Sequence, residues 1–204
     1  MTELIPSQQE VIATLRKTGA LRQGHFQLSS GIHTDQYLQV PLAMRDARIS
    51  KSLSVGLSRK LRTDTEIRAS LTSISIIAAT ISGLPIAFGI SEAIQARQAY
   101  WVEKEGDLPM RFRPYLMQEP GEKVVIVDDV YRSGARVMEL RRLCEDNGAE
   151  VVAIATLIYQ PTPATPVIRD IPFFYLAKTN AQYYSDSDSC ELCHRKIPLE
   201  VPWM

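Results

Sequence analysis

Two adjacent carboxylates, Asp128 and Asp129, are followed two residues later by a short loop of Arg132, Ser133, Gly134, Ala135 and Arg136. Paired acids can accept hydrogen bonds from the vicinal hydroxyls of a sugar. A loop with small residues lets backbone amides close around a phosphate, and the helix start that follows adds to that attraction. Arg132 and Arg136 are bulky for such a cradle: they either pair bidentately with a phosphate or fill the space meant for it. A second loop of small residues, 79–83, ends in Ser82 and Gly83 and offers another set of amides to an anion. The polar stretch 24–39 holds His25 and His33 on either side of Ser29, Ser30 and Gly31. His25 reads as a packed or capping residue, and His33 as either a turn histidine or a substrate contact. Near the end of the chain, Cys190, Cys193 and His194 have the spacing of a haem attachment motif or of half a zinc site. The lack of an export signal argues against haem, and the zinc reading lacks a fourth ligand.

The elements that must position these residues follow from apolar patterning. Residues 124–127 are four consecutive β-branched apolar residues, the pattern of a strand buried on both faces. It delivers the acids to its carboxyl end, and a helix running to Asn147 and Gly148 follows the loop. Ser7 and Glu10 have capping-box spacing, which predicts a helix over 7–18. Ile49, Leu53, Leu57 and Leu61 predict another over 45–61, followed by a charged connection over 62–68. Strands are expected at 74–79, 99–102, 151–159 and 171–177, a helix at 84–98, a surface loop at 103–107, and a short ribbon at 110–117. Three prolines in 160–166 exclude regular structure there. Cys144 falls on the helical face of Val137 and Leu140 and reads as core. Alternation of strand and helix predicts a parallel sheet with helices on both faces, and ligands in such sheets sit beyond the carboxyl ends of the strands.

Composition narrows the class. The chain has 204 residues, 45% hydrophobic and 23% charged, an ordinary balance for one globular domain. A formal net charge of zero gives no basic surface for nucleic acid. No apolar run approaches the roughly 20 residues that span a bilayer. An N-terminal segment without a basic-then-apolar pattern and an odd count of three cysteines point to reduced thiols and a cytoplasmic location.

The segment 125–130 with Ser133 and Gly134 resembles the phosphoribosyl-pyrophosphate motif of type I phosphoribosyltransferases. Residues 24–33, together with Tyr37 and Gln39, are similar to the N-terminal segment of the orotate phosphoribosyltransferases. The tail around Cys190, Cys193 and 197–199 resembles the end of some members. The resemblance is collinear over about residues 7–200. It implies a Rossmann-like parallel sheet in one domain over 1–204, with the core at about 45–180 and a small hood from 1–44 and 181–204.

By the same resemblance, orotate and phosphoribosyl pyrophosphate are the substrates, Mg²⁺ travels with the pyrophosphate, and the protein is a homodimer of pyrimidine synthesis. Asp128 and Asp129 would hold the ribose hydroxyls, and residues 132–136 the 5′-phosphate. Ser82 and Gly83 would hold the pyrophosphate, while Ser30, Gly31 and His33 would lie by the base. The chain departs from the family in its loops. Arg132 and Arg136 stand where small residues are usual, and the mobile-loop stretch 106–110 has an acid, Asp107, and no lysine. Lys104 and Arg111 flank it, and Lys104 is the candidate catalytic cation. These departures raise an alternative: a protein of this fold that binds nucleotide or ribose phosphate in a regulatory role, with little or no chemistry.

Overall fold

The computed structural model describes residues 5–202; the extreme ends of the expected hood, 1–4 and 203–204, lie outside the described residues. In chain order the elements are α1 (Gln8–Lys17), β1 (Leu21–Gln27), β2 (His33–Leu38), α2 (Pro41–Met44), α3 (Ala47–Leu61) and α4 (Thr65–Ala69). Then come β3 (Ser75–Ala78), α5 (Leu84–Ile94), β4 (Gln98–Trp101), β5 (Lys123–Tyr131), α6 (Ala135–Asp146), β6 (Glu150–Tyr159), β7 (Phe173–Lys178), β8 (Tyr183–Tyr184) and α7 (Glu191–His194).

The apolar run at 124–127 becomes the middle of β5, the central strand of a five-stranded parallel sheet in the order β4-β3-β5-β6-β7. Its side chains alternate between two apolar layers. Val125 and Val127 pack with Leu57 of α3 and with Ile86 and Ile90 of α5. Val124 and Ile126 pack with Val137, Leu140 and Cys144 of α6. Each such side chain, fully buried, stabilises the fold by about 1.5–3 kcal/mol relative to exposure. Helices therefore cover both faces, as expected, because neither face of β5 presents a polar side chain over this run.

From β3 the chain crosses outward to β4, whereas from β5 it crosses the other way to β6 and β7. β3 and β5 are neighbours whose connections diverge, which opens a crevice at their carboxyl ends. The loops after these two strands are the two small-residue loops of the sequence.

Local chemistry sets the helix ends. The reciprocal Ser7–Glu10 box caps α1. Asp46 accepts from the amides of Arg48 and Ile49, so α3 starts at Ala47 rather than at 45. Asp64 accepts from Glu66 and Ile67, both at 3.0 Å, which turns part of the expected charged connection into α4. α5 stops at Ile94, short of 98, because Gln95 adopts a left-handed φ of 55°. The expected ribbon at 110–117 reduces to one bridge, Glu103 to Arg111, and a 3-10 turn beginning at Pro114, which has no amide proton for a ladder.

β1 and β2 form an antiparallel hairpin outside the main sheet. The tail covers both of its edges. β8 pairs with β2, and after α7 the chain returns so that Glu200 bridges to Phe26 of β1. Neither β8 nor α7 is evident from residue patterning, since two- and four-residue elements leave no periodicity to read.

Helices α3 and α5 cross closely. A Cβ on Gly89 would lie 2.5 Å from Ser54 Oγ and 2.6 Å from Ser54 Cβ. In an isolated helix Gly→Ala gains about 1 kcal/mol. At this crossing Gly89→Ala is expected to destabilise by about 1–3 kcal/mol through overpacking, read as a lower midpoint in urea unfolding; a raised midpoint would show that the crossing tolerates the methyl group.

Candidate functional site

The switch-point crevice is closed by a chain of hydroxyl and carboxyl groups. Thr80, just past β3, donates its hydroxyl to Asp128 Oδ1 at 2.5 Å. The same Thr80 oxygen lies 2.8 Å from Ser82 Oγ and accepts from the amide of Gly83 at 3.2 Å. Asp128 Oδ1 also accepts from the amide of Asp129 at 3.0 Å, and Asp129 Oδ1 from the amide of Val130 at 2.9 Å. A Cβ on Gly83 would lie 3.2 Å from both Asp128 Oδ1 and the Val127 carbonyl oxygen. Glycine is therefore what allows the first loop to approach the acids. Burial pushes the carboxyls of Asp128 and Asp129 above the usual carboxylate range, and for Asp128 the neighbouring Asp129 charge pushes the same way.

The loop after the acids is built for tight approach. Gly134 has a φ of 76°, and a Cβ there would lie 2.5 Å from the Tyr131 hydroxyl oxygen. It is both left-handed and crowded, so no other residue fits without a shift. Tyr131 itself is buried, donates to the Pro166 carbonyl at 3.2 Å, and packs against Tyr159 and Phe173. Gly134 provides no side-chain cap for α6, so apart from one contact from Ser133 the first-turn amides of α6 have no capping side chain. Ser133 Oγ accepts from the Ala135 amide at 3.3 Å.

The two arginines separate. Arg132 donates through Nε to Gln160 Oε1 at 3.0 Å, and Gln160 donates to Gln36 Oε1 on β2 at 3.3 Å. The Arg132 carbonyl accepts from the Thr165 hydroxyl. Arg132 thus ties the loop after β5 to the hairpin. Arg136 is exposed and lines a cleft of about 1080 Å³ with Thr80, Ser82, Arg45, Lys104 and Glu105.

The third loop carries its cations in pairs. Lys104 Nζ lies 2.7 Å and 2.9 Å from the two carboxylate oxygens of Glu139 on α6. Glu139 also accepts from the Met110 amide, and the Lys104 contact holds its carboxyl below the usual range. Arg111 pairs with Glu105, and Arg113 with Glu103. Lys104 therefore lines the cleft as half of an ion pair with α6.

Ser30 is exposed at the tip of the β1–β2 turn, and Gly31, at a φ of 84°, closes that turn by donating to the Leu28 carbonyl at 2.8 Å. His33 is not in an open turn. It is buried, with Nδ1 3.0 Å from His25 Nε2 and 3.4 Å from Cys193 Sγ. His194 is exposed in the last turn of α7 and does not join Cys190 and Cys193; among the described residues the group that does is His25 with His33. Cys144 is core as expected, and burial pushes its thiol up to about 12. Sequence patterning passed over Thr80, Glu139 and Gln160. Thr80 had a legible signal, a hydroxyl at the carboxyl end of a buried strand. Glu139 and Gln160 had none.

An acid pair and two small-residue loops meeting at the switch point of a parallel sheet define an α/β protein that handles a phosphorylated sugar. The chain belongs to the phosphoribosyl transferase domain family, which matches residues 74–181, just over half of its length. An orotate phosphoribosyltransferase of Carboxydothermus hydrogenoformans is 33% identical over 183 residues, covering 90% of this chain and 91% of the relative. One from Thermotoga maritima is 31% identical over 189 residues, covering 92% and 94%. Among solved structures, the orotate phosphoribosyltransferase of Mycobacterium tuberculosis shares the fold with a TM-score of 0.61, at 22% identity, over 84% of this chain and 95% of that one. No helix among the described residues is long and apolar enough to cross a membrane.

The raised carboxyl pKa values set a sign for stability. A carboxyl whose folded-state pKa is raised contributes stability at low pH that is lost as pH rises through that folded value. Asp128→Asn removes this loss and leaves an oxygen for the Thr80 hydroxyl. Its Tm is expected to exceed that of the parent protein at pH 7, with the difference shrinking towards about pH 4, near the ordinary aspartate value. A scanning calorimetry series over that range checks it; a variant that is less stable at every pH would mean the charge is compensated in the folded state.

Proposed function

We propose that the chain is an orotate phosphoribosyltransferase, joining orotate to the C1 carbon of phosphoribosyl pyrophosphate and releasing pyrophosphate. The observation that carries this reading is the Thr80–Asp128 contact, which sets a ribose-type acid pair beside an amide-rich loop at one crevice. The names of the relatives, over nine-tenths of the chain, supply the base. In the reaction the C1–O bond to pyrophosphate breaks, its electron pair leaves with the pyrophosphate, and a ring nitrogen of orotate forms the new bond to C1 as it gives up its proton to solvent or to the departing pyrophosphate. Positive charge develops on the ribose as the leaving group departs, so the placement of fixed charge governs the barrier.

Each part of the crevice has a role in this reading. Asp128 and Asp129 accept the ribose hydroxyls, and their negative charge lies on the side of the sugar where positive charge grows. The α6 amides and Ser133 take the 5′-phosphate, with Arg136 reaching in from the cleft wall. The Ser82 and Gly83 amides take the pyrophosphate. The hard oxygen donors at this edge suit Mg²⁺ bound to the pyrophosphate oxygens, where the ion would neutralise the leaving group. Lys104, held at the cleft wall by Glu139, is the lysine the third loop offers to the leaving group. The exposed tip at Ser30 and Gly31 is the base-side element.

The reading extends to a cytoplasmic homodimer. The dimer is supported by the exposure of Ile81 (84%) and Phe88 (50%), large apolar side chains that a second subunit would cover. The alternative of a regulatory protein without chemistry rests on the altered loops alone and is not favoured beside relatives that carry the transferase name.

A continuous absorbance assay following orotate should show turnover that requires both phosphoribosyl pyrophosphate and Mg²⁺. Well-folded protein that turns over another base but not orotate would overturn the assignment. Within the same assay, Arg136→Ala is expected to raise KM for phosphoribosyl pyrophosphate about 10–100-fold, the loss of a hydrogen bond to a charged group of about 1.5–3 kcal/mol, with KM for orotate little changed. Equal rises in both would place Arg136 outside the phosphate subsite.

A further inference from the structure

Outside the crevice, the hairpin and the tail converge on four side chains. His25 on β1, His33 on β2, Cys190 at the start of α7 and Cys193 within it each present one ligand atom, and these atoms all lie within 4.8 Å of one another. His25 Nε2 is 3.0 Å from His33 Nδ1, 3.5 Å from Cys190 Sγ and 3.6 Å from Cys193 Sγ. Cys193 Sγ is 3.4 Å from His33 Nδ1. Both cysteines are free thiols rather than a disulfide. His25, His33 and Cys190 are buried.

We infer that this is a structural zinc site, with Cys190, Cys193, His25 and His33 as its four ligands. Tetrahedral bonds of about 2.3 Å to sulfur and about 2.0–2.1 Å to nitrogen give edges of about 3.6 Å between N and S and about 3.3 Å between two N atoms. The three nitrogen–sulfur separations, 3.4–3.6 Å, are close to that edge, and the nitrogen–nitrogen separation, 3.0 Å, is a little shorter than its own. The protonation pattern agrees. His25 Nδ1 lies 2.8 Å from the Ile197 carbonyl oxygen, which can only accept, so Nδ1 carries the ring proton and Nε2 presents its lone pair to the cluster. A backbone carbonyl orienting a histidine in this way is the usual outer support of a zinc ligand. Two thiolates and two imidazoles in a closed, tetrahedral set favour zinc among divalent ions. The sequence showed only the Cys190–Cys193 half of the site; the other half is 165 residues away along the chain and is supplied by the hairpin.

The site explains how the tail is held. The tail pairs with β2 through β8, crosses the hairpin as α7, and pairs with β1 through Glu200. α7 has four residues, no side-chain cap and no buried side chain of its own among Glu191–His194, too little to hold a crossing by itself. A metal bound where it crosses joins the tail to both strands that carry the Ser30–Gly31 turn. The two histidines lie on the two arms of that turn, so the ion fixes its shape without touching the crevice.

Metal content tests this independently of any transferase activity. Protein made in zinc-supplemented medium and desalted is expected to carry about one zinc per chain by plasma mass spectrometry, as a closed four-ligand site should. Cys190→Ser and Cys193→Ser should lose it, and His194→Ala should keep it. Stripping zinc from the full-length protein with a chelator should lower its Tm, and added zinc should restore it, because binding energy at such a site is folding energy. If the cysteine variants fail to fold, cobalt substituted into the parent protein decides: the intense visible absorption of a tetrahedral thiolate complex is expected. No stoichiometric zinc after reconstitution, another metal in its place, unaltered zinc in Cys193→Ser, or a cobalt spectrum without thiolate character would each overturn the inference.

Discussion

A buried carboxylate, Asp128, beside the partly exposed Asp129, with no ion-pair partner for either among the described residues, is the constraint on which the site depends. None of the ion pairs among the described residues includes Asp128 or Asp129. Their charge is met instead by neutral donors, chiefly the Thr80 hydroxyl and the local amides. Neutral donors compensate a buried carboxylate only in part, so the pair raises its own pKa and weakens the fold at neutral pH. A strand end that carries such a penalty is stabilised by any group that brings hydroxyl donors or positive charge to it. The surrounding fold makes the arrangement affordable: β5 is anchored by apolar layers on both faces, and Gly83 allows the neighbouring loop to come in close.

The positive side of the crevice is arranged differently. Lys104, Arg111 and Arg113 are each tied to a carboxylate in the loop or on α6, and Arg132 is spent on the link through Gln160 to Gln36. That link makes the hairpin part of the site's wall. Three polar side chains thus connect the loop after β5, the end of β6 and the hairpin. The arginine at 132 is thereby explained as a structural tie, whereas Arg136 stays exposed at the cleft wall.

Much of the core was legible because its causes are local or periodic. The buried run at 124–127, the Ser7–Glu10 cap and the four-residue leucine spacing of α3 each name their own structure. The acid pair and Ser82–Gly83 were legible as well, since strand ends and small residues mark them. Long-range partners were not. Thr80 reaches across 48 residues to Asp128, Lys104 across 35 to Glu139, and the cysteines of the tail across the whole chain to His25 and His33. Spacing along the chain carries no trace of such pairings, and His194 was placed with the cysteines only because it is their neighbour in sequence. Short elements such as α4, β8 and α7 were missed for a related reason. Their ends are set by one cap or one pairing rather than by a repeated pattern.

If the paired acids form the ribose half of the site, they must contribute to binding before any bond is broken. Isothermal calorimetry of phosphoribosyl pyrophosphate with Mg²⁺ isolates that step. The parent protein is expected to bind, and Asp128→Asn to bind at least about tenfold more weakly, a loss of about 1.4 kcal/mol or more. Equal affinity in the two proteins, or no binding to well-folded parent protein, would contradict the assignment of Asp128 and Asp129 to the sugar.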